Sequence, residues 1–128
     1  MASELNVSAS LEYSKNGNEI SKFETKTVNV TGTNFVQLNQ SIGFDREEII
    51  INGGNAFGDI GTAGYVLLKN LDATNYITLY MKAEDTWLPF AKLNAGEIAL
   101  FRVANDVYDV WAQANAAACE LEITMIEN

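Results

Sequence analysis

Glu4-Leu5-Asn6-Val7-Ser8-Ala9-Ser10-Leu11-Glu12-Tyr13 alternates polar and apolar side chains without a break. Period two puts Leu5, Val7, Ala9, Leu11 and Tyr13 on one side of an extended chain, the pattern of a half-buried β-strand. Lys15-Asn16-Gly17-Asn18 follows, and an Asn-Gly pair tolerates the positive φ angles of a type I′ hairpin turn. A partner strand is therefore expected from about Glu19 to Thr31. Its apolar parity drifts from Phe23 to Val28 and Val30, which predicts a bulge or a break near Lys26.

The same periodicity continues outward from this hairpin. Val36, Leu38 and Ile42 share one parity within 34–42, and Glu47 to Ile51 ends in three isoleucines, so both segments read as strands. Five of the nine glycines fall between Gly53 and Gly64, which predicts a loop joining two halves of the fold. Tyr65 to Leu68 and Tyr76 to Met81 are continuous apolar runs of strand length, as in strands buried on both faces. Lys82 to Thr86 and Asn94-Ala95-Gly96-Glu97 are turns, and the sole proline, Pro89, places Trp87 to Leu93 at a sheet edge or a strand start. Ile98 to Val103, Val107 to Ala112 and Ala117 to Ile126 complete about eight to ten strands, spaced as in a sandwich or barrel. The alanine-rich window 106–120 suits a helix by propensity. Tyr108, Val110, Ala112 and Ala114 nevertheless keep period two, so strand, turn, strand is expected. One all-β domain over 1–128 follows, with residues 1–5 as a candidate N-terminal arm.

Seventeen acidic against eight basic residues give a net charge of −9, which repels phosphate backbones and anionic lipid. Neither nucleic acid nor membrane is an expected partner. The N-terminus has no cationic, apolar leader and no apolar run reaches the ~20 residues of a membrane span, so a cytoplasmic product is expected. Asn-x-Ser/Thr triplets at Asn6, Asn29 and Asn39 lie on candidate strands and read as chance in an Asn-rich chain.

Histidine is absent, which removes the commonest general base and the commonest transition-metal ligand together. One cysteine with carboxylates matches no zinc set, and Cys119 alternates with Leu121, Ile123 and Met125 as a small buried hydrophobe. Glycoside hydrolysis needs only two carboxylates, with Trp87, Trp111 and Tyr108 as conceivable walls, but no acidic pair stands out. Asp45, Glu47, Glu48 and Asp59, or Asp106 with Asp109, suit calcium chemically yet lack EF-hand spacing, and they read as charges that blunt turns and sheet edges. The stretch 53–64 has neither a P-loop end nor dinucleotide spacing, and it holds no lysine or arginine. No enzyme, cofactor or metal is expected.

Trp87-Leu88-Pro89-Phe90 sets two large aromatics around a proline at an expected edge, a core rim or a contact surface. The candidate interface residues are Leu5 in the arm, Gly58 and Gly61 in the glycine-rich loop, and Trp87, Pro89 and Phe90 at the edge.

Several longer stretches are similar to small virion proteins of tailed bacteriophages. They are Gly64-Tyr65-Val66-Leu67-Leu68-Lys69-Asn70-Leu71-Asp72-Ala73-Thr74-Asn75-Tyr76-Ile77, Pro89-Phe90-Ala91-Lys92-Leu93-Asn94-Ala95-Gly96-Glu97-Ile98-Ala99-Leu100-Phe101-Arg102 and Ala112-Gln113-Ala114-Asn115-Ala116-Ala117-Ala118. Ser10-Leu11-Glu12-Tyr13-Ser14-Lys15-Asn16-Gly17 and Gln40-Ser41-Ile42-Gly43 are similar too. The resemblance implies an antiparallel β-sandwich, jelly-roll-like, made in the host bacterial cytoplasm and placed on the outer capsid surface of the virion. It implies a capsid decoration or cement role, with the major capsid protein and copies of the chain, as a homotrimer, for partners. A tail, baseplate or head-fibre component is the alternative, and it shares every one of these sequence features. A carbohydrate-binding module is the non-viral alternative, and it requires Trp87 or Trp111 to be exposed.

Overall fold

Asn16 and Gly17 take φ of 52° and 81°, and Lys15 pairs with Asn18, so the two residues form the expected type I′ turn. The structure, a computed structural model, describes residues 5–51, 54–55, 60–104 and 109–128. These form eleven strands, one of two residues, and no helix. The chain divides into two units, residues 1–31 and 32–128.

The first unit is a two-stranded hairpin of β1 (Leu5–Lys15) and β2 (Asn18–Val28). The register runs unshifted from Lys15↔Asn18 to Leu5↔Val28, so the bulge expected near Lys26 is not formed. The apolar parity drifts because Phe23 stands opposite Ser10 on the polar face. That face is otherwise laced with hydroxyls and amides: Ser8 Oγ meets Thr25 Oγ1 at 3.3 Å, and Thr27 Oγ1 donates to Asn6 Oδ1 at 3.1 Å. The expectation of a half-buried strand holds at Leu5 and Val7 and is corrected beyond them. Leu11 is 68% exposed, and Tyr13 and Ile20 are exposed beside it; a two-stranded ribbon has no second layer of its own.

The second unit is an antiparallel β-sandwich. Its strands are β3 (Phe35–Ile42), β4 (Glu47–Ile51), β5 (Gly54–Asn55), β6 (Ala63–Asn70), β7 (Ile77–Ala83), β8 (Thr86–Leu93), β9 (Ile98–Arg102), β10 (Asp109–Ala114) and β11 (Cys119–Glu127). The pairs nest: β3 with β11, β4 with β10, β6 with β9, and β7 with β8 at the centre. This yields sheets ordered β3-β11-β6-β9 and β5-β4-β10-β7-β8, the connectivity of a jelly roll. Strand, turn, strand holds over the alanine-rich window from Asp109 onward.

Alternate residues of both sheets fill the space between them. Val36, Val66, Leu68, Leu121, Ile123 and Met125 come from one sheet, and Ile50, Ile77, Leu79, Val110, Ala112 and Ala114 from the other. Cys119 continues the row on β11 and is buried, which raises its thiol pKa through desolvation. Tyr65 to Leu68 and Tyr76 to Met81 are not buried on both faces. Leu67 points outward and exposed, and Tyr65, Tyr76, Thr78 and Tyr80 are half-buried, because no third layer covers a sandwich. Ile49 and Ile50 are both buried because the β4–β10 register shifts between Ile50 and Glu48, leaving Ile49 as the extra residue and turning two neighbours inward.

One polar side chain is fully buried among the described residues. Asn70, at the end of β6, donates its Nδ2 to the carbonyls of Asn75 at 2.9 Å, Leu93 at 3.1 Å and Asn94 at 3.3 Å. Its Oδ1 accepts from Asp72 N at 2.9 Å. Its backbone bonds Glu97 and Gly96 across the β8–β9 turn, where Gly96 takes a φ of 78°. Asp72 then accepts from the backbone of Asn75 and Thr74, which holds its carboxyl below the usual value. Replacing Asn70 with Ala strips these carbonyls of their donor inside the core. The expected loss is about 3 kcal/mol, read as a lower urea midpoint at unchanged slope; a midpoint equal to wild type would show that water replaces the amide.

Candidate interaction surfaces

The outer face of the five-stranded sheet gathers aromatic and charged side chains. Register sets Glu48, Trp111, Tyr80 and Pro89 in one row and Asp109, Lys82 and Trp87 in the next. Trp87 meets Trp111 edge-on, with centroids 5.9 Å apart at 88°. Arg46, from the β3–β4 connection, lies 4.8 Å from the Tyr80 ring and 4.7 Å from that of Trp87, and Lys82 Nζ lies 4.6 Å from Trp87 and 5.2 Å from Trp111. Both indoles are half-buried and carry cations on their rings. A tryptophan platform for a sugar needs an open ring face, and these are occupied.

A shallow groove of about 190 Å³ beside this cluster is lined by Phe44, Tyr76, Tyr80, Gln113 and Asn115. Gln113 is engaged at both ends of its amide and Asn115 through its oxygen. Gln113 Nε2 donates to Phe44 O at 2.7 Å and its Oε1 accepts from Tyr80 OH at 3.0 Å, while Asn115 Oδ1 accepts from Tyr76 N at 2.8 Å. These bonds brace the sheet rather than present themselves to a ligand.

The outer face of the four-stranded sheet differs in chemistry. Leu100 of β9 pairs directly with Leu67 of β6, with Ile98 one rung away and Tyr65 on the other side. Tyr65 lies beneath Arg102 at 5.3 Å, and Ile126 pairs with Phe35 beyond it. Ile98 is 63% and Phe35 69% exposed. Lys69, Glu122, Asn39 and Gln37 share the face. An apolar centre with a polar border is the composition of a contact surface.

Of the interface residues expected from sequence, Trp87, Pro89 and Phe90 lie together on β8, an edge strand. They do not form one patch. Pro89 lacks a donor for the ladder, and the register skips Phe90, which turns instead to meet Phe101 of β9 edge-on at 6.4 Å and closes the seam between the sheets. Trp87 belongs to the cation-covered cluster. Gly61 donates its N–H to Glu127 Oε2 at 3.4 Å. Glu127 also accepts from Asn34 Nδ2 and Thr33 N, bonds that hold its carboxyl below the usual value, the Asn34 amide foremost. Leu5 begins the hairpin. Gly58, Asp59, Asp106, Tyr108 and residues 1–4 lie outside the described residues. Leu67, Leu100 and Ile98 were missed as contact candidates; the β9 alternation Ile98, Leu100, Arg102 against Ala99 and Phe101 carried the signal.

Among the described residues no three histidine, cysteine, aspartate or glutamate side chains lie close enough together to hold a metal ion, and no helix is long and apolar enough to cross a membrane. No protein-family model matches the chain, and no curated protein matches it. Among solved structures, the Yersinia pseudotuberculosis-derived mitogen is similar over 74% of this chain and 86% of that one, at 13% identity and a TM-score of 0.41.

Glu48 is the strained charge of the aromatic cluster. Burial raises its pKa, and the neighbouring Asp109 raises it further, against a smaller pull from Lys82. A carboxyl whose pKa is raised by folding costs stability once it is ionised, above its folded pKa, and costs nothing below the unfolded value. Glu48→Gln should therefore melt higher than wild type at pH 7 and lose that advantage by about pH 4. Thermal unfolding at both values tests it, and a variant less stable at pH 7 would mean that Lys82 governs the carboxylate.

Proposed function

We propose that this chain is a non-enzymatic structural protein of a tailed-bacteriophage virion, seated on the outer capsid surface, where it joins neighbouring copies of the major capsid protein. The observation that carries the reading is the apolar outer face of the four-stranded sheet, centred on the Leu67–Leu100 pair. Single exposed leucines and isoleucines are ordinary on a folded surface, whereas several gathered in one patch mark a surface that gains by being covered. A polar border around an apolar centre favours a protein partner, and the net charge of −9 opposes nucleic acid and anionic lipid. The sequence resemblance to virion proteins supports the same reading, and the jelly roll, common among capsid and lectin domains, agrees by analogy of fold.

A decoration protein works by many modest contacts. Each copy needs only a small interface, because simultaneous engagement across a symmetric shell multiplies weak affinities. Self-association of copies completes the arrangement.

Quantitative mass spectrometry of purified particles should give hundreds of copies per virion. A few dozen, cross-linked only to tail proteins, would transfer the chain to the tail, baseplate or fibre. Leu67→Lys with Leu100→Lys leaves the core untouched and should lower occupancy on undecorated heads at least ~10-fold; unchanged occupancy would remove this face from the interface.

A further inference from the structure

We propose that β1 is a pairing edge, through which two copies of this chain join antiparallel across a two-fold axis at Ala9. This holds whether or not the chain belongs to a virion.

A two-stranded ribbon is marginal in water, and three or more strands with an apolar face are needed for independent stability. Neither edge of the hairpin formed by residues 5–28 pairs with another strand among the described residues, and the two edges are not alike. β2 carries Lys22, Glu24 and Lys26, with Lys22 Nζ 2.8 Å from Glu24 Oε2, the charged guard by which proteins blunt an edge. From Leu5 to Leu11, β1 has no charge and no proline.

The register decides which atoms that edge presents. With Lys15↔Asn18 closing a two-residue turn, odd-numbered residues of β1 bond within the hairpin, and the backbone N–H and C=O groups of Asn6, Ser8, Ser10 and Glu12 point outward. A second β1 laid antiparallel with Ser8 opposite Ser10 and Asn6 opposite Glu12 satisfies all of them. The same register sets Leu5 against Tyr13, Val7 against Leu11, and Ala9 against its own copy, so every apolar position meets another and no like charges face. Asn6 gives its Oδ1 to Thr27, which leaves its amide N–H groups for the Glu12 carboxylate of the second copy. A pattern that is its own complement is the requirement of an isologous interface. The product is a four-stranded sheet, β2-β1-β1-β2, whose guarded strands lie outside. The symmetry is two-fold, in place of the three-fold that the resemblance implied.

Ala9 sits at a non-hydrogen-bonded position on the axis, where Cα atoms approach to ~4.5 Å, within disulfide range. Ala9→Cys in the full chain should therefore give a covalent dimer on mild oxidation, Cys119 being buried. Phe23→Cys, on the far strand, should not. Light scattering of the wild type should give twice 14.0 kDa. Ser10→Pro removes an outward donor without touching the hairpin's own ladder and should weaken the dimer at least ~10-fold, while Thr25→Pro, the equivalent change on β2, should leave it intact. A monomeric or trimeric wild type, or cross-linking through Phe23→Cys in preference to Ala9→Cys, would overturn the proposal.

Discussion

The sandwich depends on the side-chain amide of Asn70. A jelly roll brings many chain reversals to each end of two facing sheets, and each reversal leaves backbone carbonyls without a strand partner. Asn70 supplies donors to three of them, in the β6–β7 connection and at the β8–β9 turn, from a position with no exposure to water. Buried amides are costly when half-satisfied and specific when fully satisfied. This one is fully satisfied, so it fixes the mutual placement of β6, β7, β8 and β9. The Leu67–Leu100 pair and the Phe90–Phe101 contact both rest on that placement.

The two outer faces handle their aromatic and aliphatic side chains in opposite ways. On the five-stranded sheet, Arg46 and Lys82 lie over the rings of Tyr80, Trp87 and Trp111, so a large apolar area is turned toward solvent under a charged cover. On the four-stranded sheet, among the described residues, Tyr65 has such a cover, from Arg102, and Leu67 and Leu100 are exposed. Eight cations against seventeen acids cannot cover everything. Where they are placed distinguishes the two faces.

Period two made the strands legible, and residues with positive φ made the turns legible. Asn16-Gly17 specified its turn outright, and Cys119 to Met125 marked a buried row. The same rule failed wherever the partner layer mattered. A continuous run such as Tyr65-Val66-Leu67-Leu68 looks alike whether its outer face meets protein or water, and only the sheet count shows that Leu67 is outward. Three isoleucines at Ile49 to Ile51 hid a register shift, since a bulge adds one residue without altering composition. Pro89 signalled an edge, but the turning of Phe90 toward Phe101 follows from a second strand far along the chain. Asn70 left no trace in sequence, being one asparagine among many until three carbonyls converge on it.

The nesting that pairs β3 with β11 also governs the order in which the chain acquires its shape. Phe35 waits for Ile126, so the four-stranded sheet cannot close until Ile126 has left the ribosome, and so non-local a topology folds on a scale of milliseconds to seconds. The hairpin of β1 and β2 needs only its own turn, and such ribbons form in about 1–10 μs. Until then each chain is a ribbon that forms and melts ahead of an unfinished body. On the pairing proposed for β1, that ribbon is where neighbouring nascent chains on one message meet first.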